Sequence, residues 1–219
     1  MLPLQIGEIA LACKGEAHGE AQVTSVCIDS RKISQGCLFI AIKGDRFDGH
    51  DFVEKAFEEG AAAVMVHRDI HCRGPYVRVA NTREALLRLA GYYRQFFQIP
   101  VVGLTGSVGK TTTKEMTAAV LSKRYKTLKN EGNLNNEIGM PMTAFGLDLS
   151  YGAAVFEMGM SGFGEIARMA RAAAPTVGII TNIGVSHMEQ LGSRENIRKA
   201  KLEPVSYTHL RAHETRHDL

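Results

Sequence analysis

The stretch from Ile99 to Glu115 constrains this chain more than any other. An apolar run, Ile99 to Leu104, feeds the turn Thr105-Gly106-Ser107-Val108-Gly109, and Lys110-Thr111-Thr112 opens a run of helix formers. Strand, glycine turn, Lys-Thr and helix, in that order, make a cradle for phosphate. Glycine lets backbone N–H groups turn inward without a Cβ clash. The helix N-terminus adds the positive end of its dipole. Lys110 supplies a cation for the outer phosphates, and the Thr111 hydroxyl is a ligand for Mg²⁺. The usual pattern G-x-x-x-x-G-K-[ST] asks for glycine at 104, where this chain has Leu104. A glycine turn that merely caps a helix accounts poorly for Gly106, Gly109 and Lys110-Thr111 in this context. The ligand expected of Thr105 to Thr112 is a nucleoside triphosphate, ATP.

Around that segment the chain alternates short apolar runs with helical periodicity. In the first module, Val23 to Ile28, Cys37 to Ile42, Ala62 to Val66 and Tyr76 to Val79 read as buried strands. Phe52, Val53, Ala56 and Phe57 share a helical face that ends on Gly60, a suitable residue past a helix end. Asn81-Thr82-Arg83-Glu84 resembles a capping box, and Leu86, Leu87, Leu89, Ala90 and Tyr93 continue its helix. A boundary is expected between Phe97 and Pro100. Beyond it come strands at Val101–Leu104, Tyr125–Leu128, Ala153–Met158 and Val177–Thr181, with helices from Lys110, from Glu165 and from about Ser193. Such alternation predicts an α/β fold with a parallel sheet and right-handed crossovers. In these sheets ligands sit beyond the carboxyl ends of the strands, which would gather Lys110, Glu157 and Asn182 to His187 in one crevice.

Length and composition exclude several classes. At 219 residues, with 45% hydrophobic and 22% charged residues, the chain has an ordinary globular make-up. A net charge of +3 with no basic stripe argues against nucleic acid as a partner. Cys13, Cys27, Cys37 and Cys72 show no C-x-x-C spacing and read as reduced thiols. No apolar run approaches the roughly 18 residues of a membrane span, and the N-terminus lacks a signal-peptide pattern. A cytoplasmic monomer is expected.

Two residues carry further chemistry on position alone. Glu157 ends the apolar strand Val155-Phe156-Glu157, where a carboxylate is costly unless paired or bound to a cation. A salt bridge or helix cap would also serve it, but Thr111 should lie opposite, so Mg²⁺ ligation is preferred. His187 follows the turn Asn182-Ile183-Gly184 in the same crevice, either as a structural residue or as a ligand.

The run Thr105-Gly106-Ser107-Val108-Gly109-Lys110-Thr111-Thr112-Thr113-Lys114-Glu115 resembles the ATP loop of the Mur ligases, which also lack the first glycine. Gly132-Asn133-Leu134-Asn135-Asn136-Glu137-Ile138-Gly139-Met140-Pro141 is similar to one branch of that family. Asp29-Ser30-Arg31 and the run Lys43 to His50 match its first domain, and the likeness spans about residues 20 to 203. The resemblance implies a UDP-muramoyl-substrate-binding domain over 1–97 and part of a central P-loop-type ATPase domain over 98–203. A C-terminal Rossmann-like domain would be absent, leaving a fragment without expected activity. It further implies an ATP-dependent ligase of peptidoglycan precursor synthesis that joins D-alanyl-D-alanine to a UDP-N-acetylmuramoyl-tripeptide through an acyl phosphate. By resemblance Lys110, His187 and Lys201 are catalytic, and Thr111, Glu157, His187 and Lys201 hold Mg²⁺, with Lys201 carbamylated. Lys199 competes with Lys201 by register. Ser30, Arg31, Asn135 and Asn136 would bind the substrate, whereas Asp48 and His50 read as structural. A sibling ligase adding a single amino acid, or a nucleotide-binding module without turnover, are the alternatives.

After Glu203 the family pattern stops, and Pro204 to Leu219 reads as foreign or disordered. It holds His213-Glu214-Thr215-Arg216-His217, formally a zinc motif. With no apolar face and no room for a third ligand, it is not taken as a metal site.

Overall fold

The computed structural model describes residues 1–184 and 192–203. His187 and the segment 204–219, with its H-E-x-x-H run, lie outside the described residues. Up to residue 98 the chain runs β1 (Leu4–Gln5), α1 (Ile6–Cys13), β2 (Glu16–His18), β3 (Gln22–Val23), β4 (Ser25–Cys27) and β5 (Cys37–Ile40). A 3₁₀ turn (Gly49–Phe52), α2 (Val53–Glu58), β6 (Ala63–Val66), β7 (Tyr76–Arg78) and α3 (Thr82–Arg94) follow. Then come β8 (Val101–Thr105), α4 (Lys110–Leu121), β9 (Thr127–Lys129), α5 (Gly139–Ala144) and β10 (Ala153–Glu157). Next are α6 (Glu165–Ala173), β11 (Val177–Ile180) and α7 (Arg194–Leu202). Two units result: Met1–Gln98 with Glu137–Ser150, and Ile99–Asn136 with Tyr151–Leu219.

The first unit is built on a five-stranded sheet in the order β2-β7-β6-β5-β4, parallel except for β2. β5 and β6 are buried at every residue, as strands covered on both faces must be. Phe39, Val64 and Val66 point to one side and pack with Val53, Ala56 and Ala61. Leu38, Ile40 and Met65 alternate with them and are fully buried too. The run expected as one strand, Val23 to Ile28, is split. β3 pairs with β1 in a two-stranded ribbon, and β4 joins the main sheet. Asn81 caps α3, its Oδ1 accepting from Arg83 N (2.9 Å) and Glu84 N (3.2 Å).

The segment Glu137–Ser150 enters this unit because α5 packs on α3. Tyr93, fully buried on α3, donates its hydroxyl to Leu147 O (2.6 Å) and accepts from Leu2 N (2.8 Å). Phe97 and Phe145 lie against its ring at 5.2 and 5.9 Å between centroids. Tyr93→Phe would strand a buried carbonyl and a backbone N–H together, so it should cost this unit about 1–3 kcal/mol. Urea unfolding would show the loss.

The second unit is a four-stranded parallel sheet in the order β11-β8-β10-β9. β8 and β10 are buried throughout. Val102, Leu104 and Val155 meet Ala118 of α4, with Leu121 and Ile179 at the margin. From β8 the chain crosses through α4 towards β9; from β10 it crosses through α6 the opposite way, to β11. The connections therefore part between the neighbouring strands β8 and β10. In open parallel sheets that switch point, at the carboxyl ends, is where ligands bind.

Candidate functional site

The loop Thr105–Gly109 leaves β8 at this switch point and ends at the N-terminus of α4. Gly109 is the N-cap residue, in the left-handed region at φ +78°. Gly106 has φ +152°, and a Cβ there would lie 1.9 Å from Thr181 Oγ1. Gly109 is thus required by its backbone conformation, and Gly106 by backbone and crowding together. Asn182 holds the loop open: its Oδ1 accepts from Ser107 N (3.1 Å) and Val108 N (3.0 Å). Thr181 Oγ1 donates to Val108 O (2.6 Å), and Gly184 N donates to Ser107 Oγ (2.8 Å). Thr112 is exposed, whereas Thr105 is buried, its hydroxyl without a hydrogen-bond partner among the described residues. Gly106→Ala combines a clash with a disfavoured φ and should destabilise the chain by about 2 kcal/mol or more. Chemical denaturation checks this, and nucleotide affinity should fall in parallel.

Two lysines converge on one carbonyl of this loop. Lys110 Nζ donates to Gly106 O (3.0 Å), and Lys201 Nζ donates to the same atom (3.0 Å). Lys201 is buried with Ile197 and Ala200 on the inner side of α7, while Lys199 is exposed. Of the two lysines open to the sequence reading, Lys201 is the one that reaches the loop. Burial and, after it, the charge of Lys110 push the Lys201 amine down to about 8. Helix α7 is fixed by Glu203, whose carboxylate accepts from Gly164 N (2.8 Å) and Ala167 N (3.0 Å) at the start of α6.

Glu157, 1% exposed at the end of β10, faces α4. Its Oε2 accepts from Thr111 Oγ1 (3.1 Å) and lies 3.4 Å from Lys114 Nζ. Its Oε1 accepts from Asn135 Nδ2 (2.8 Å). Asn130, fully buried after β9, satisfies the backbone of Glu157 on both sides: Oδ1 accepts from its N–H (2.8 Å) and Nδ2 donates to its carbonyl (3.0 Å). Asn135, expected to bind substrate, thus lies on the Glu157 carboxylate, and Asn136 is exposed. Thr111 and Glu157 offer neighbouring oxygen donors, the set a hard cation such as Mg²⁺ takes. Lys114, Asn130 and Glu203 carry this geometry without having been singled out in the sequence, and Asn182, expected in the crevice, turns out to bond the loop itself. For Lys114 a signal existed: it shares the inner helical face of Thr111 and Ala118.

In the first unit, Ser30 and Arg31 line a cavity of about 460 Å³ with Phe39, Phe47, Phe52 and Lys55. Arg31 turns back on Asp29 in a two-pronged pair, Nε to Oδ1 at 2.9 Å and Nη2 to Oδ2 at 2.8 Å. That pairing holds the Asp29 carboxyl far below the usual carboxylate range. Asp48 Oδ1 lies 2.5 Å from His50 Nδ1, and the buried imidazole accepts from His67 N at Nε2 (3.1 Å). His50 is therefore fully engaged in holding two loops together.

The Mur ligase family catalytic domain matches residues 22–94, and the Mur ligase middle domain matches residues 104–212. The second match reaches into the segment 204–219 that falls outside the family pattern on sequence reading. UDP-N-acetylmuramoyl-tripeptide–D-alanyl-D-alanine ligase of Bacillus subtilis is 45% identical over 213 residues, which are 94% of this chain and 47% of that protein. The chain belongs to the Mur ligase family. Among solved structures, MurF from Acinetobacter baumannii superposes with a TM-score of 0.89 at 37% identity, over 94% of this chain and 47% of that one. MurF ligase from Thermotoga maritima in complex with ADP gives 0.81 at 34% identity, over 85% and 44%. This Mur ligase chain thus spans about half the length of the relatives it matches. No helix among its described residues is long and apolar enough to cross a membrane.

Proposed function

We propose that the chain carries the substrate-binding and ATP-binding parts of a ligase of peptidoglycan precursor synthesis. That enzyme would join D-alanyl-D-alanine to a UDP-N-acetylmuramoyl-tripeptide, using ATP. The observation behind this reading is the convergence of Lys110, Lys201, Thr111 and Glu157 on adjacent strand ends, in a chain 45% identical to a relative of that name. Lys110 would leave Gly106 O to hold the outer phosphates, within a loop that Asn182 has already shaped. Mg²⁺ held by Thr111 and Glu157 would offset negative charge on the transferring phosphoryl group. The tripeptide's terminal carboxylate attacks the γ-phosphorus of ATP, releasing ADP and giving an acyl phosphate. The amine of D-alanyl-D-alanine then attacks the acyl carbon, forming the peptide bond as phosphate leaves.

The buried position of Lys201 supports the carbamate expected from the family: its neutral amine would add CO₂ and lose a proton. The lysine would then carry a negative charge and become a further oxygen ligand, with His187 completing the metal set. Ser30 and Arg31 suit the uridine diphosphate end of the substrate, in the cavity they line. We place the enzyme in the cytoplasm, a compartment that keeps unpaired thiols such as buried Cys13, Cys27 and Cys37 reduced.

The test is substrate dependence in the full-length enzyme. Phosphate release should require ATP, the UDP-linked tripeptide and D-alanyl-D-alanine together, with the pentapeptide product seen by mass. Turnover with a UDP-linked dipeptide and a single amino acid would assign the chain to a sibling ligase. Nucleotide binding without phosphate release under any of these conditions would reduce it to a binding module.

A further inference from the structure

Lys114 occupies a position on α4 that the helix pattern reserves for an apolar residue. It lies three residues after Thr111 and four before Ala118, on the side of the helix that faces the sheet. Its side chain is fully buried, and its ammonium has no hydrogen-bond partner among the described residues. Two carboxylates are within ion-pair distance: Glu157 Oε2 at 3.4 Å and Glu115 Oε1 at 3.7 Å. Glu115 is already taken by Lys129, which contacts its other oxygen. Glu157 is therefore the charge that Lys114 answers. A buried ion pair is a poor way to gain stability, because desolvation offsets the attraction and an apolar residue of similar volume does as well or better. The charge of Lys114 calls for another explanation.

Its place beside Thr111 and Glu157 provides one. We propose that Lys114 is a positioning residue, an internal cation that neutralises and holds Glu157 and keeps the site's affinity for a free divalent ion low. The phosphates of a bound nucleotide then supply the extra negative charge, so the ion enters together with the nucleotide. Thr111 and Asn135 fix the direction of the carboxylate, and Lys114 sets its net charge. This inference rests on the reading of Thr111 and Glu157 as metal ligands.

The experiment measures Mn²⁺ affinity of the 219-residue chain without nucleotide, by electron paramagnetic resonance, and repeats it with ADP. Lys114→Met should bind Mn²⁺ about tenfold or more tightly than the unchanged chain, since a fixed positive charge next to the ion's ligand has gone. Glu157→Gln and the double variant should lose that gain, and Lys114→Arg should bind as weakly as the unchanged chain. ADP should raise Mn²⁺ affinity more for the unchanged chain than for Lys114→Met. Equal Mn²⁺ affinity in Lys114→Met and the unchanged chain would overturn the proposal, as would a gain that survives Glu157→Gln. If Lys114→Met does not fold, Lys114→Gln takes its place. Unfolding of both, with Lys114→Arg folded, would make the lysine a charge that merely holds the fold, and the proposal would fall. A chain that binds no ADP at all would count against the nucleotide site itself, while the nucleotide-free comparison still decides Lys114.

Discussion

Lys110→Ala should lower ATP turnover by the full-length enzyme by about 10²–10³-fold, the usual effect of removing one preorganised donor to developing charge. The reasoning starts from geometry. Lys110 opens α4 directly after Gly109, and its ammonium reaches back to the loop carbonyl of Gly106. The other nearby lysines are committed: Lys201 to the same carbonyl from a buried position, and Lys114 to Glu157. Neither opens a helix behind a glycine turn, where the phosphates would lie. ADP release, followed by a coupled assay, reads the effect. Turnover within a few-fold of the unchanged enzyme would show that the loop does not serve phosphate. Nucleotide affinity should fall as well, by about 1.5–3 kcal/mol for one charge-assisted contact.

Lys201→Ala should remove most of the activity of the full-length enzyme, whereas Lys199→Ala should leave it nearly unchanged. The contrast follows from burial, since Lys201 is 1% exposed and Lys199 points to solvent. If Lys201 acts as a carbamate, a short carboxylate such as acetate or formate added to Lys201→Ala should restore part of the lost rate. It would supply the missing oxygen ligand in the space left by the side chain. No rescue, together with full activity in CO₂-depleted buffer for the unchanged enzyme, would reduce Lys201 to a buried structural lysine. Damage by Lys199→Ala with Lys201→Ala spared would move the assignment by two residues along α7.

The parallel sheet of the second unit and its phosphate loop were legible because β8, β10 and β11 are short apolar runs and the loop glycines recur at a set spacing, whereas β9, Thr127-Leu128-Lys129, is a weaker signal. α1 was not legible. Its first turn is served by Glu8, which accepts from Gln5 N, and it ends on Lys14 in the left-handed region at φ +57°. No Ser, Thr, Asp or Asn caps its start, and the left-handed position at its end is a lysine, with Gly15 only next in line. α5 was hidden for a different reason, since its six residues include Gly139 and Pro141, which read as loop. In the site, Gly106, Gly109, Lys110 and Thr111 could be picked out because a recurring spacing links them, and Glu157 because a carboxylate ends an apolar strand. Asn182 could be placed in the crevice but its partners could not, and Asn130 not at all, because each acts on backbone groups distant in sequence, 74–75 and 27 residues away. No local pattern records such pairs. Lys114 was passed over because a lysine on a helix is ordinarily solvated, and only the register shared with Thr111 and Ala118 turns it inward.

The chain's path through Glu137–Ser150 has a practical consequence for anyone who would take the protein apart. The first unit is not a continuous stretch of sequence, so a gene cut after Gln98 would yield a piece deprived of its own lid on α3. Met140, Ala144 and Leu147, all fully buried, would be missing from it. The reciprocal piece, begun at Ile99, would carry those same apolar residues as an uncovered excursion, an invitation to aggregate. Separable pieces would need 137–150 grafted onto the end of the first through a linker, and a short bridge from Asn136 to Tyr151 in the second. Folding during synthesis meets the same arithmetic: the first unit stays incomplete until the ribosome has also made α4 and β9, so its last helix docks only after part of the nucleotide-binding sheet exists.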